Sequence, residues 1–174
     1  VIAPKLYRIG GDWWIVCSAS RQQVCLLKSK SGNPEGPYDL EGPKSIHNST
    51  AGILDSGSKG ESRTDAYYFA YDPSLYMEGE AIYLVFGPGW IARLRDDPGR
   101  GLAERPRLLE IEGAQLYAGK GGCRIFREDD LYHLLARNEW GDMVEYTAND
   151  IGGPYGNCRL VLPRAHDCIS VLLG

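Results

Sequence analysis

Little in this sequence points towards nucleic acid, a membrane or a metal. No stretch gathers lysine and arginine into a stripe, and 19 Lys and Arg are outnumbered by 23 Asp and Glu for a net charge of -4, so no phosphate backbone is expected as a partner. No apolar run approaches the ~18 residues of a membrane span. The opening VIAPKLYRIG lacks the charged segment and apolar core of a secretory leader, and the expectation is a soluble chain. Five cysteines, at 17, 25, 123, 158 and 168, cannot all pair with one another, and none stands in a C-x-x-C arrangement; no zinc site, other metal or cofactor is expected. Cys17 and Cys25 lie in apolar stretches and read as buried free thiols, which leans the otherwise open question of location towards a reducing, cytoplasmic compartment. Helical periodicity is missing as well. The Ser-Ala-Ser and Ser-Gly-Ser stretches have no His and Asp arrangement that would make a serine nucleophile.

What is present is turn chemistry and short apolar runs. With 22 Gly and 10 Pro in 174 residues, many tight turns are expected. Asp72-Pro73 opens the run Ser74-Leu75-Tyr76, a polar turn follows at Met77 to Glu80, and Ala81 to Phe86 returns as an aromatic and β-branched strand. Pro73 has no amide hydrogen, which suits the first residue of a strand, so Asp72 is expected at a strand mouth. An equivalent hairpin comes earlier, from Ala3-Pro4-Lys5-Leu6-Tyr7 to Trp13-Trp14-Ile15-Val16-Cys17, and another later, from Cys123-Arg124-Ile125-Phe126 to Leu131 to Ala136. Each has a third strand: Val24 to Ser29, Trp90 to Leu94, and Val144 to Thr147. Leu108 to Ile111 is read as an outer strand, and Glu41 to Asp65 as a long polar loop holding one short strand. Gly36-Pro37-Tyr38 recurs as Gly153-Pro154-Tyr155.

Repeated antiparallel units in one order are the mark of a β-propeller, whose units bury their faces only against neighbours; a β-sandwich, the alternative, does not repeat its motifs in order. The expected fold is all-β, a single partial propeller domain over residues 1–174 with about three blades. The strand centres Trp14 to Val16, Tyr83 to Val85 and Leu131 to Leu135 are expected to be buried. Adjacent Trp13 and Trp14 must point to opposite sides of a strand, so at least one belongs to the core.

A-P-K-L-Y with Trp13-Trp14, D-P-S-L-Y with A-I-Y-L-V, I-E-G-A-Q-L-Y, and G-G-P-Y together resemble the five-bladed β-propeller glycoside hydrolases of family 43, the arabinanases, β-xylosidases and arabinofuranosidases, and the neighbouring family 117. The resemblance implies an oligosaccharide of plant or algal origin on the propeller axis, and three carboxyl groups acting on it from successive blades. These are an aspartate base, a second aspartate that tunes pKa, and a glutamate acid. An inverting mechanism holds acid and base ~6.5–9.5 Å apart. Asp72 matches the second aspartate. Glu112 of I-E-G-A is the candidate acid, although a second alignment, through A-G-K-G-G, places Lys120 there instead. The base of the family lies upstream of the A-P motif at which this sequence opens. Trp140 on a loop is a candidate sugar-binding face, and His166, after Leu162-Pro163, a candidate contact to substrate; His47 and His133 carry no motif. Bland readings stand beside these, with Asp72 as a turn cap and Glu112 as a solvated strand-end charge. Two broad functions remain open: a glycoside hydrolase, or a non-catalytic propeller segment that binds carbohydrate or protein. A homodimer or blades from another segment would complete the ring.

Overall fold

A computed structural model describes residues 2–20, 23–39, 72–87, 89–104, 106–113, 122–138 and 140–163. Lys120, His166, His47 and the stretch Glu41 to Asp65 lie outside the described residues. Among the described residues eleven strands form three antiparallel sheets. The first holds β1 (Ile2–Ile9), β2 (Asp12–Ser20) and β3 (Gln23–Lys28). The second holds β4 (Ser74–Glu78), β5 (Ala81–Phe86), β6 (Trp90–Arg93) and β7 (Arg107–Leu108). The third holds β8 (Arg124–Glu128), β9 (Leu131–Arg137), β10 (Met143–Ala148) and β11 (Gly156–Leu162). The helical content among the described residues is one 3-10 turn, Pro98–Arg100, capped by Asp97, whose Oδ1 accepts from Gly99 N at 3.0 Å. The fold is all-β and consistent with part of a β-propeller.

Side-chain alternation stacks the sheets. Ile9, Trp14, Val16, Val24 and Leu26 of the first sheet pack on Leu75, Ile82, Leu84 and Phe86 of the second. The opposite face of the second sheet, through Val85 and Ile91, packs on Ile125, Leu134, Ala136, Val144 and Tyr146 of the third. A strand whose residues alternate between two buried faces needs apolar side chains on both, which is why β5 reads as a nearly continuous apolar run. Trp14 is core, whereas Trp13 is partly exposed with the Arg8 guanidinium 5.9 Å from its ring centre. Leu131, Tyr132 and His133 are only partly buried because they sit at the hairpin end of β9; the buried part of that strand is Leu134 to Arg137.

Hairpin register makes the repetition quantitative. Ile9 pairs with Asp12 and Lys5 with Val16; Glu78 with Ala81 and Ser74 with Val85; Glu128 with Leu131 and Arg124 with Leu135. Counting back from each turn, Lys5, Ser74 and Arg124 occupy one position of the repeat, and Ala3, Asp72 and Gly122 the position two before it. The backbone agrees: Ala3 and Asp72, each preceding a proline, share a left-handed φ of 48° and 45°. The two Gly-Pro-Tyr segments are equivalent as well. Tyr38 OH donates to Pro34 O at 2.7 Å and Tyr155 OH to Ile151 O at 3.0 Å, in each case four residues back.

Two readings of the sequence are amended. The outer strand expected over Leu108 to Ile111 is the two-residue β7, because the ladder with the second sheet ends at the bond from Leu109 N to Gly89 O and Glu110 turns away to bond Gly152. A fourth strand of the third sheet, β11, was not read at all. Three cysteines, Cys17, Cys25 and Cys123, are buried free thiols, while Cys158 is free and exposed.

Candidate functional site

Asp72 stands at the mouth of β4, an edge strand of its sheet, where aspartate tolerates left-handed φ better than most residues. Its carboxylate Oδ1 is in close contact with the Lys5 ammonium, which reaches across from β1. Lys5 Nζ also donates to the carbonyls of Asp72, at 3.2 Å, and Pro73, at 3.0 Å. The side chains are 11% and 23% exposed, so the pair is largely withdrawn from water but still reachable. Burial lowers the Lys5 pKa; Asp72 works in the opposite direction, and Arg124 adds to the lowering.

The neighbours fix this geometry. Tyr7 OH accepts from Leu75 N at 3.1 Å, and Ser74 Oγ donates to Cys123 O at 3.0 Å. The first and second sheets thus each give a donor from the same repeat position to the strand-mouth carbonyl of the next sheet: Lys5 to Pro73, Ser74 to Cys123. Cys123 is fully enclosed, and burial raises its thiol to about 12. Gly122 lies flat against Asp72. A Cβ there would sit 2.5 Å from the Asp72 Cβ and 2.6 Å from its carbonyl oxygen. Gly122→Ala is therefore expected to cost about 1–3 kcal/mol, as overpacking against backbone does, and chemical denaturation would read it.

Glu112 is placed elsewhere. Its amide bonds Tyr155 O at 2.8 Å, and its Oε2 would lie 2.8 Å from a Cβ on Gly156, on the outermost strand. It borders an open cleft of about 360 Å³ with Leu131, Thr147, Asp150 and Asn157. Gly122, against Asp72, and Gly156 are separated by four residues along β8 and three strand spacings, about 13 Å and about 14 Å at right angles, or roughly 20 Å in a straight line. The structure does not bring Asp72 and Glu112 together, because Ile111 and Glu112 leave β7 to pair with Tyr155 at the entrance to β11. Trp140 is 73% exposed on the β9–β10 loop, at the sheet end that also carries Arg124. Asn138 Oδ1 accepts from the amides of Trp140 and Asp142 and fixes the loop.

A second polar cluster went unread in the sequence. Glu145 on β10 accepts from Arg159 Nε on β11 at 2.8 Å and meets His133 Nδ1 on β9 at 2.6 Å, while His133 stacks on Phe126 with centroids 4.8 Å apart. Burial pushes the Glu145 pKa up, but the bonds from Arg159 and His133 outweigh it and leave the group below its ordinary value. Lys5 was missed as well; its one signal was its place in A-P-K-L-Y, aligned with D-P-S-L-Y. Among the described residues no group of three or more His, Cys, Asp or Glu is placed to hold a metal ion.

No family model matches the sequence, and no curated protein matches it. Solved structures do. GH43 BlXynB from Bacillus licheniformis is similar at a TM-score of 0.55 and 19% identity, over 88% of this chain and 28% of that one. The family 43 arabinoxylan arabinofuranohydrolase from Bacillus subtilis, solved with cellotetraose, gives 0.62 and 13% over 90% and 35%. A GH43_1 enzyme from Xanthomonas citri gives 0.59 and 16% over 92% and 55%. At these identities the likeness is one of fold, and the chain has a glycoside hydrolase-like, GH43-like fold. It spans between about a quarter and about half of the length of these neighbours.

Proposed function

We propose that the chain forms part of a five-bladed, carbohydrate-binding propeller of glycoside hydrolase type, in which Asp72 orients a plant or algal oligosaccharide at the axial mouth and does not itself transfer protons. The observation that carries this reading is the Lys5–Asp72 contact at the entrance to β4. A carboxylate oxygen already engaged by an ammonium is poorly placed to take a proton from water. Its charge, balanced by Lys5, also has less power to hold a neighbouring acid protonated. Asp72 is the carboxylate that acts on Lys5, Tyr7 and Cys123, and Glu112 is too distant to complete a pair across a sugar. Trp140 supplies an exposed aromatic face of the kind that stacks on sugar rings. The fold neighbours support the ligand class, since they include a β-xylosidase and an exo-beta-1,3-galactanase solved with galactose. The remaining blades come from a longer polypeptide or from a second copy, which sedimentation velocity separates.

Titration calorimetry with xylo-, arabino- and cello-oligosaccharides tests the reading. Measurable binding is expected, weakened about 10- to 100-fold by Asp72→Asn, as expected when a hydrogen bond to a charged group is lost. Asparagine keeps the left-handed backbone, so the change isolates the charge. Aryl glycosides are expected to be hydrolysed no faster than in buffer. Robust turnover abolished by Asp72→Asn would overturn the non-catalytic assignment, and absence of sugar binding would overturn the carbohydrate reading.

A further inference from the structure

The repeat position that supplies the inter-sheet donors is filled three times, by Lys5, Ser74 and Arg124. Lys5 and Ser74 give their hydrogens to carbonyls of the following sheet. Arg124 departs from this pattern, because its Nε is buried without a hydrogen-bond partner. A guanidinium nitrogen in that condition carries the desolvation cost of a charged donor with nothing to offset it. The residue as a whole is only partly buried. Arg124 directly follows Cys123, whose carbonyl takes the Ser74 hydrogen, and stands two residues after Gly122, which lies against Asp72. It is close enough to disfavour the charge on Lys5 and to favour ionisation of Tyr7.

The charge balance at this mouth decides what suits it. Lys5 and Tyr7 each interact with the Arg124 guanidinium and with one carboxylate, Asp72, and that carboxylate is taken by Lys5. The buried thiol of Cys123 and the phenol of Tyr7 are both pushed towards their neutral forms, each chiefly by burial. One positive charge, on a planar group with forked donors, is left over. Guanidinium groups in such places recognise carboxylates and sulfates through paired hydrogen bonds.

Resting on the carbohydrate reading above, we propose that the ligand of this mouth is an acidic oligosaccharide whose anionic group, a uronate carboxylate or a sulfate ester, is held by Arg124 beside the Lys5–Asp72 pair. Asp72 accepts from a sugar hydroxyl, Lys5 holds Asp72 in place, and Arg124 selects the charged residue of the chain. Neutral sugars keep the hydroxyl contact and leave the Arg124 guanidinium without an anionic partner.

The test is calorimetry on the whole chain with matched ligands: xylotriose with and without a glucuronate substituent, and a galactose disaccharide with and without a sulfate ester. At low salt at least one acidic sugar is expected to bind about 10-fold more tightly than its neutral parent, the gain of a charge-assisted bond. Which arm shows the gap identifies carboxylate or sulfate. The gap should narrow as salt is raised, a readout that needs no variant. Arg124→Gln should close it, and Arg124→Lys should keep part of it, because lysine preserves charge and loses the fork. Equal binding of acidic and neutral sugars overturns the inference and leaves the carbohydrate reading standing, as does an Arg124→Gln chain that loses stability or association but keeps the acidic preference. No binding of any of the four sugars overturns both.

Discussion

Leu84→Ala is expected to lower the unfolding free energy by about 2–5 kcal/mol, the range for a fully enclosed leucine cut back to a methyl group. Leu84 is 0% exposed at the centre of β5, opposite Leu75 on β4 and Ala92 on β6, and it faces Trp14 and Val16 across the first sheet interface. Strands on both sides and a sheet above leave little room to collapse, which places the cost in the upper part of the range. Leu160→Ala on β11, where the side chain is 58% exposed, provides the contrast and should change stability by no more than about 0.5 kcal/mol. Urea titrations would read both through the midpoint, with the slope unchanged if the denatured state is unaffected. A loss below about 0.5 kcal/mol for Leu84→Ala would mean that Leu84 does not fill the interface between the first and second sheets.

Strand order was legible because it depends on local signals. Each hairpin announces itself by a polar turn, Gly10-Gly11 or Glu78-Gly79-Glu80 or Asp129-Asp130, between apolar runs, and the repeated Pro-x-Leu-Tyr and Gly-Pro-Tyr segments turn out to occupy matching positions. β11 escaped because it is an outer strand. GNCRLVL is exposed along most of its length and shows no alternation, so its strand character comes from pairing with β10 and not from its own pattern. The site was less legible for a related reason. Lys5 and Asp72 are 67 residues apart, and a lysine in a strand reads as a solvated charge until the next sheet is laid against it. His133, Glu145 and Arg159 meet only through the register of three strands. Glu112 shows the same dependence on tertiary placement, since the role of a short motif follows from where its segment lies, and Ile111 and Glu112 pair with Tyr155 at the entrance to β11.

The other large effect expected is alkaline unfolding. Burial raises the Cys123 thiol from 9.0 to about 12; a hydrogen bond to Glu78, with burial, raises the Tyr132 phenol from 10.0 to about 12; and burial together with Cys158 does the same for Tyr146. Burial also pushes up Tyr155, Tyr7 and Tyr76. All are acids whose folded pKa lies above the unfolded one, so between the two values the folded chain binds more protons. Their contribution to stability is complete below about pH 9 and is lost as pH rises towards 12. Lys5 acts in the opposite sense. Its folded pKa is lowered from 10.5, so the unfolded chain binds the extra proton there, and stability gains slightly as pH rises to about 10.5. One lysine against six acids does not reverse the slope. For Cys123 alone a shift of about three units corresponds to on the order of 4 kcal/mol, against a total of about 5–15 kcal/mol for an ordinary domain. The urea midpoint is therefore expected to fall steadily from pH 9 and to vanish by about pH 12, with phenolate absorbance appearing together with loss of structure rather than ahead of it. Cys123→Ala should make the early part of the fall, between pH 9 and 10, shallower, because it removes the one strongly raised group that begins to titrate there. A midpoint that stays level from pH 8 to 12, or phenolate formation in a chain that remains folded, would show that these groups are open to water and that the interface between the second and third sheets is not packed as described.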